Sequence, residues 1–217
     1  MQKESQSLVY SNSAHRTAIG VLGIALPVVL MLGAWLVNNC GLQRSISHYY
    51  YTGMRDILVG ALWAIGFSLL SYKGYERADD ITSDLACFFA VGITLFPTTP
   101  EKNASAQAEW IGNIHLSFAA LFFLMLIYFS LFLFTKTDPQ KTPTSRKLLR
   151  NKIYRGCGYI MAICILLIAI YSALPDTATA AFEKVNPTFW LESVAIWTFG
   201  ISWLTKGEAI LKDKTNA

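Results

Sequence analysis

Six long apolar runs constrain this chain more than any other feature of its sequence. A helix needs about 20 apolar residues to cross a hydrocarbon core about 30 Å thick, and these runs hold 17 to 25 residues each. Several of them are apolar on all sides, whereas a helix of a soluble domain keeps one polar face. The runs cover residues 18–37, 56–72, 81–97, 111–135, 153–174 and 188–206. We therefore predict an all-α polytopic membrane protein, a bundle of six transmembrane helices that forms a single domain over residues 1–217.

The charged residues agree with this prediction. They make up 15% of the chain, against about 25% in an ordinary soluble domain, and they cluster in short stretches between the apolar runs. The positive residues behind the net charge of +4 are not interleaved with aromatic residues on an amphipathic surface. We therefore predict membrane lipids as partners and no nucleic acid.

The cysteine and histidine patterns favour neither a disulfide framework nor a metal site. Cys87, Cys157 and Cys164 lie inside apolar runs, and Cys40 alone lies outside them. The sequence contains no His-x-x-x-His, no His-Glu-x-x-His and no Cys-x-x-Cys, and it has no glycine-rich phosphate loop. We predict no metal and no cofactor.

The distribution of Lys and Arg predicts the orientation of the chain. With the N-terminus inside, the inner segments hold 14 of these residues and the outer segments hold four, Arg44, Arg55, Lys102 and Lys184. All connecting loops are short, so the excess of positive charge sets the topology. We predict a multi-pass protein of a bacterial inner membrane, with both termini in the cytoplasm.

Two local features predict how the helices pack. Gly60 and Ala64 lie four residues apart and give the second helix a face of small residues, a pattern typical of close helix packing. Pro27 removes one backbone hydrogen bond near the middle of the first helix and predicts a kink there.

Charged groups near the outer ends of three helices predict a polar pocket. Such groups cost about 2.5–3.5 kcal/mol at the centre of a span, so their placement is informative. Arg55 and Asp56 open the second helix, His115 lies one turn into the fourth, and Glu192 lies one turn into the sixth. All three helices begin at the same surface, so we expect these groups at one depth near the outer leaflet.

The segment before the second helix adds hydroxyl, imidazole and phenol groups to this layer. It contains Ser45, Ser47, His48 and Tyr51. The predicted ligand-binding set is Ser45, Ser47, Tyr51, Arg55, Asp56, His115 and Glu192. The alternative is that the charged side chains extend to the interface or form ion pairs between helices, and that the tyrosines belong to an interfacial aromatic belt.

A smaller polar group is predicted at the inner surface. Asp84 lies one turn into the third helix and Arg155 lies near the start of the fifth. Both helices begin at the cytoplasmic surface, so the two side chains can meet at the same depth. We predict a salt bridge between them, and half of a proton or ion path is the alternative.

The residues around the second helix also carry a resemblance. Ser45-Ile-Ser47, followed by Tyr-Tyr-Tyr-Thr-Gly and Arg55-Asp56, resembles uncharacterised bacterial multi-pass membrane proteins. These look distantly similar to the DRAM-like six-helix family, which shares an Ile-Ser element before its second helix. The resemblance covers residues 44–66 and implies a six-helix bundle in a membrane.

The leading functional hypothesis is the binding or transport of a lipid headgroup or a small polar solute without catalysis, and whether the protein is an enzyme stays open. Arg55 would bind an anionic group, the carboxylates of Asp56 and Glu192 would balance it, and His115 would be the pH-sensitive member. An oligomer is compatible with the sequence.

Two alternatives remain open at this point. The first is a membrane-embedded lipid hydrolase with His115 or Glu192 as general base, in which Ser47, His115 and Asp56 could be assembled into a triad. The second is a non-catalytic assembly partner, in which the polar groups join helices to one another.

Overall fold

The fold is entirely helical. The computed structural model describes residues 2–72, 76–137 and 142–212, without the side chains of residues 2–12, 38 and 176. In these described ranges 77% of the residues are helical, and no β-strand occurs. The predicted all-α fold class is confirmed.

Six long α-helices follow the six apolar runs. In chain order they are α1 (Gln2–Asn38), α2 (Arg55–Leu70), α3 (Arg77–Leu95), α4 (Ala106–Tyr128), α5 (Ser145–Ala173) and, after a short α6 (Asp176–Thr179), α7 (Pro187–Lys206). A π-helical turn, Phe129–Leu133, extends α4, and 3₁₀ helices cover Ser47–Tyr51 and Glu183–Val185. The helix α1 begins well before the apolar run and includes Pro27 within its length.

Local sequence signals explain where several helices begin. The Ser105 hydroxyl accepts a hydrogen bond from the Ala108 N–H and caps α4, and Thr144 caps α5 through the Lys147 N–H. These side chains satisfy backbone donors that have no partner within the helix. A reciprocal capping box of Glu76 and Asp79 begins α3, and Pro187 opens α7, where a missing N–H costs nothing.

The long helices form a closed ring. Each packs against its neighbours in the order α1, α2, α3, α4, α5, α7, and α7 packs against α1. The ring has two ends. The histidine end carries the segments 39–54, 96–105 and 174–186, and the lysine end carries the segments 134–137 and 207–212 together with Lys147 and Lys206.

An aromatic cluster fills the ring toward the lysine end. Its ring centroids lie 5.1 to 6.2 Å apart, mostly with tilted or edge-to-face geometry, which favours aromatic pairs. Its members are Tyr72, Phe129, Phe134, Tyr154 and Trp203, all of them buried. This end of the ring is therefore closely packed.

A close backbone contact lies between α1 and α7 rather than at the predicted small-residue face. A Cβ atom added at Gly200 would lie 2.7 Å from the Gly20 carbonyl oxygen, so the two backbones touch. Gly60 has open space on its Cβ side, and Gly60 and Ala64 are both exposed. The prediction that these two residues carry close packing within the chain is wrong, because their face of α2 points out of the ring.

Three helical stretches are long and apolar enough to cross a membrane, namely Ser13–Val37, Ala106–Leu133 and Ser145–Ala173. The helix α2 has 16 residues, a length of about 24 Å at 1.5 Å per residue, and α3 carries three aspartates, Asp79, Asp80 and Asp84, in its first half. Many large apolar side chains of the ring are exposed, which is typical of a surface covered by lipid or protein. The six-span arrangement stays a prediction.

Candidate functional site

A polar cavity of about 400 Å³ occupies the histidine end of the ring. It lies between α4, α5 and α7 and beneath the segments 44–48 and 98–101. Ligand sites usually measure about 300–1,000 Å³ and combine apolar walls with a few converging polar groups. Its polar lining residues are Arg44, Ser45, Ser47, His48, Thr98, Thr99, Glu101, Asn113, His115, Tyr171, Ser172, Thr179, Thr188 and Glu192.

The 3₁₀ helix and the residues before it place hydroxyl and imidazole groups at this cavity. Ile46 and Tyr49 are buried in an apolar cluster with residues of α1, α2 and α7. Residues three apart lie on the same face of a 3₁₀ helix, so these two side chains anchor one face of the segment. Ser45, Ser47 and His48 line the polar cavity.

Three hydrogen bonds fix this segment to the start of α7. The Phe189 N–H donates to the Arg44 carbonyl at 3.1 Å, and the Asn186 amide donates to the Leu42 carbonyl at 3.1 Å. The Ile46 N–H donates to Glu192 Oε2 at 2.6 Å. Glu192 is half-buried, and this bond holds its carboxylate at the cavity wall.

A hydrogen bond joins Ser47 to His115. The distance between Ser47 Oγ and His115 Nε2 is 2.9 Å, and His115 is buried. On the other side of the imidazole, Nδ1 lies 2.7 Å from the Phe96 carbonyl and 3.2 Å from the Ile93 carbonyl. Two oxygen acceptors require a proton on Nδ1, so we assign that tautomer from the geometry. Nε2 then accepts the hydrogen bond from the Ser47 hydroxyl.

The end of α3 explains why two carbonyls are available to His115. In an α-helix a carbonyl accepts from the N–H four residues later, and proline has no N–H. Pro97 lies four residues after Ile93, so the Ile93 carbonyl has no such donor. Phe96 follows the last residue of α3 and has an extended backbone, so its carbonyl lies outside the helical ladder. The imidazole faces both acceptors.

A second serine–histidine contact lies in the 3₁₀ segment. Ser45 Oγ is 2.6 Å from His48 Nδ1 and accepts the His48 N–H at 3.3 Å. Burial lowers the pKa of His48 below its usual 6.5, and the charges of Arg44 and His115 lower it further, while Glu101 and the Thr99 backbone act in the opposite direction. His48 is therefore neutral near pH 7.

An apolar cavity of about 60 Å³ lies deeper in the ring. Its walls come from α1, α2, α3, α4 and α7, and include Leu26, Leu58, Ile93, Phe122 and Phe199. Ser47 and Glu192 line both this apolar cavity and the polar cavity. These two polar side chains therefore mark the boundary between a polar and an apolar space.

A third cavity of about 260 Å³ adjoins the polar cavity at the surface of the histidine end. Arg44, Glu101, Tyr171 and Thr188 line both. The residues that the two cavities share therefore include one cation, Arg44, and one carboxylate, Glu101, and Glu183 adds a second carboxylate to the third cavity.

The structure brings together four of the seven predicted ligand-binding residues. Ser45, Ser47, His115 and Glu192 line the polar cavity, and Tyr51, Arg55 and Asp56 are not among its lining residues.

The predicted pocket shared by Arg55, Asp56, His115 and Glu192 is therefore corrected. The Tyr51 hydroxyl donates to the Thr98 carbonyl, and the Arg55 guanidinium lies 4.6 Å from the Tyr50 ring centroid. Asp56 is exposed. A common depth does not fix how each helix is rotated about its axis, and the first turn of α2 faces away from the cavity.

Other predicted contacts also differ. The Nδ1 atom of His115 faces carbonyl oxygens, so Ser47 and His115 form a pair without Asp56. Asp84 and Arg155 are both exposed, and within the described ranges no ion pair joins them.

The observed ion pairs at the lysine end use other residues. They join Lys136 to Glu76 and Asp79 and Arg150 to Glu208. The basic residue that meets the start of α3 therefore comes from the segment that follows α4 and its π-helical turn.

The sequence-based site omitted Arg44 and Glu101, which supply charges at the cavity entrance. Arg44 directly precedes Ser45, and Glu101 directly follows Pro100. The proline pair after α3 is the signal that predicts a fixed turn there. Among the described residues, no group of three or more His, Cys, Asp and Glu side chains is placed to hold a metal ion.

Comparison with known proteins adds no relative. The chain matches no protein-family model, no curated protein and no solved structure. The resemblance to DRAM-like proteins is neither supported nor refuted by these comparisons.

Proposed function

We propose that this chain is a multi-pass membrane protein that binds or transports the polar group of a membrane amphiphile, or a small polar solute of the same chemistry. The observation that carries the proposal is the polar cavity of about 400 Å³, which combines Arg44, Glu101 and Glu192 with two histidines and three serines. Converging charges of both signs beside apolar walls are typical of a site for a polar ligand.

The membrane arrangement supports this proposal. Three helices of the ring are apolar enough to cross a membrane, and the other three long helices close the same ring. In the proposed topology all six cross an inner membrane. The 14 Lys and Arg residues on one side against four on the other support an orientation with both termini in the cytoplasm and the histidine end outside.

The lining residues indicate the chemistry of the ligand. A guanidinium such as that of Arg44 suits a phosphate or carboxylate group, and the carboxylates of Glu101 and Glu192 suit an ammonium group or hydroxyls. A ligand with both kinds of group, such as a zwitterionic headgroup, fits this set better than a purely anionic one.

The cavity also has an apolar side. Leu116 and Ala119 of α4 and Ile168 of α5 line it. The same two helices pack closely nearer the lysine end, where the missing side chain of Gly158 leaves room for Leu131. We propose that the chains of a bound lipid leave the cavity between α4 and α5.

Equilibrium binding to the purified protein in detergent tests the proposal. The probes are dioleoyl phosphatidylethanolamine and its deacylated headgroup, glycerophosphoethanolamine. Arg44→Gln and Glu192→Gln each remove a charged partner, which costs about 1.5–3 kcal/mol and weakens binding by about 10- to 100-fold. Binding of the whole lipid alone identifies a lipid site, and binding of both probes identifies a headgroup site open to solutes.

Matched controls lie at the same end of the chain. Arg55→Gln and Asp56→Asn change the same charges outside the cavity, so we expect binding within about twofold of the unmodified protein. Equal losses in all four variants, or no loss in Arg44→Gln and Glu192→Gln, contradict the proposed site.

A further inference from the structure

Ser47 and His115 lie where the polar and apolar cavities meet. Ser47 lines both cavities, and His115 lines the polar one. Their side chains are joined at 2.9 Å. The imidazole Nε2, which has no proton in the assigned tautomer, points at the serine hydroxyl. This is the geometry of a nucleophile beside its general base.

We propose that Ser47 is an acyl-accepting nucleophile and His115 its general base, and that the protein removes a short acyl group from an ester whose alcohol part lies in the polar cavity. The inference rests on the proposed binding function, because the polar cavity must hold the alcohol part. It adds an activity that binding alone does not require.

The surroundings of His115 suit this role. During proton transfer the imidazole becomes positively charged and needs partners that stabilise the charge. Its Nδ1–H faces the carbonyls of Ile93 and Phe96 at the C-terminal end of α3, where the helix dipole is negative. These carbonyls orient the ring and favour its charged form, as the carboxylate does in a Ser-His-Asp triad.

The reaction balances without a metal or a redox partner. Ser47 Oγ forms a bond to the ester carbonyl carbon while its proton moves to His115 Nε2. The bond between that carbon and the alcohol oxygen breaks, and the proton on Nε2 passes to the departing alcohol. Water then attacks the acyl-serine with His115 again as base, which releases the carboxylic acid and restores the serine.

The volume of the apolar cavity limits the acyl group. A cavity of about 150 Å³ holds one benzene, or about 25 Å³ per carbon. The apolar cavity of about 60 Å³ therefore holds about two to three carbons by the same scale. The substrate class is a short-chain O-acyl ester, such as an acetyl ester, of a polar carrier.

The test uses the full-length protein in detergent with two readouts. The first is covalent labelling by a fluorophosphonate, located by peptide mass mapping. The second is hydrolysis of 4-nitrophenyl acetate compared with 4-nitrophenyl octanoate. We expect the label on Ser47, faster hydrolysis of the acetate, and a loss of at least about 100-fold in labelling rate in His115→Gln.

Control variants separate this activity from folding and from binding. Ser117→Ala and His15→Gln change the same residue types outside the cavities and should leave both readouts unchanged. Ser47→Ala should abolish labelling, whereas the unmodified protein should both be labelled and bind glycerophosphoethanolamine. Mapping of the label in the unmodified protein decides the point even where a variant fails to fold.

Two results overturn the inference. In the first, the unmodified protein binds the polar probe but shows neither a label on Ser47 nor ester hydrolysis, which leaves the binding function standing. In the second, the octanoate is hydrolysed faster than the acetate, which contradicts the short acyl group. A label on Ser47 without any binding of the polar probe would instead contradict the proposed binding function alone.

Discussion

Replacing Gly200 by alanine should push apart α1 and α7, whose backbones are in close contact at this position. The new Cβ atom would lie 2.6 Å from Ile24 Cγ1 and 2.7 Å from the Gly20 carbonyl oxygen. The isoleucine side chain can rotate, but the carbonyl belongs to the α1 backbone. Ordinary contact begins at 3.4 Å, so α1 and α7 must move apart by about 0.7 Å (3.4 − 2.7).

The expected cost follows from overpacking. Inserting a methyl group into a filled interface costs about 1–3 kcal/mol, and alanine recovers about 0.5–1 kcal/mol of intrinsic helix preference over glycine. We expect Gly200→Ala to lower the free energy of unfolding by about 1–2 kcal/mol. A second substitution, Gly20→Ala, should cost less when α7 has already moved, so the two effects should not add.

Unfolding in mixed micelles of dodecyl maltoside and sodium dodecyl sulfate, followed by tryptophan fluorescence, measures this change. Gly60→Ala and Gly156→Ala are the matched controls, because no atom lies within 4 Å of a Cβ added at either position. Both should be neutral or slightly stabilising. A Gly200→Ala protein as stable as the Gly60→Ala protein would refute the close approach of α1 and α7.

Three further predictions concern the two ends of the ring. Lys136→Met should lower the free energy of unfolding by about 3 kcal/mol in the same assay, because it removes the cation that pairs with the fully buried Asp79 carboxylate. Glu76→Gln should lower it by less than about 1 kcal/mol, because the Glu76 side chain is 65% exposed. Burial lowers the pKa of His48 below 6.5, so the unfolded chain binds more protons in the window just below pH 6.5. The free energy of unfolding should therefore decrease as the pH is lowered through this window, and it should decrease less in His48→Gln. A free energy of unfolding that does not change with pH in either protein would contradict the neutral imidazole. Gly112→Ala should weaken glycerophosphoethanolamine binding, because a Cβ there would lie 2.9 Å from the backbone of the loop after α3, which lines the cavity. An unchanged affinity would contradict this and show that the loop moves to accept the methyl group.

The positions of the six long helices were predictable from hydropathy alone. Residues such as Leu30 and Leu166 lie on helices that are apolar on every side, and one is buried while the other is exposed. Uniform apolarity therefore marks a helix without showing which face it buries. For this reason Gly60 was assigned to a packed face and the contact between Gly20 and Gly200 was missed.

The end of the helices that carries the candidate site was predictable, and the composition of the site was predictable only in part. Ser47, His115 and Glu192 line the polar cavity at that end. Arg55 does not, because the rotation of α2 and the path of residues 39–54 depend on contacts between distant segments. Arg44, and not the predicted Arg55, lines the cavity. The spacing of residues in the sequence does not show which of the two arginines reaches it.

One accessibility measurement tests the central claim most directly, namely that the polar cavity faces outside and holds a polar ligand. Thr188→Cys places a thiol in the cavity lining, and Cys40→Ser removes the one native cysteine that is not buried. We predict that a membrane-impermeant thiol reagent labels Thr188→Cys in intact cells, that glycerophosphoethanolamine slows this labelling, and that Lys212→Cys is labelled only after permeabilisation. Labelling of Thr188→Cys only in permeabilised cells, or at a rate that the ligand does not change, would contradict the account.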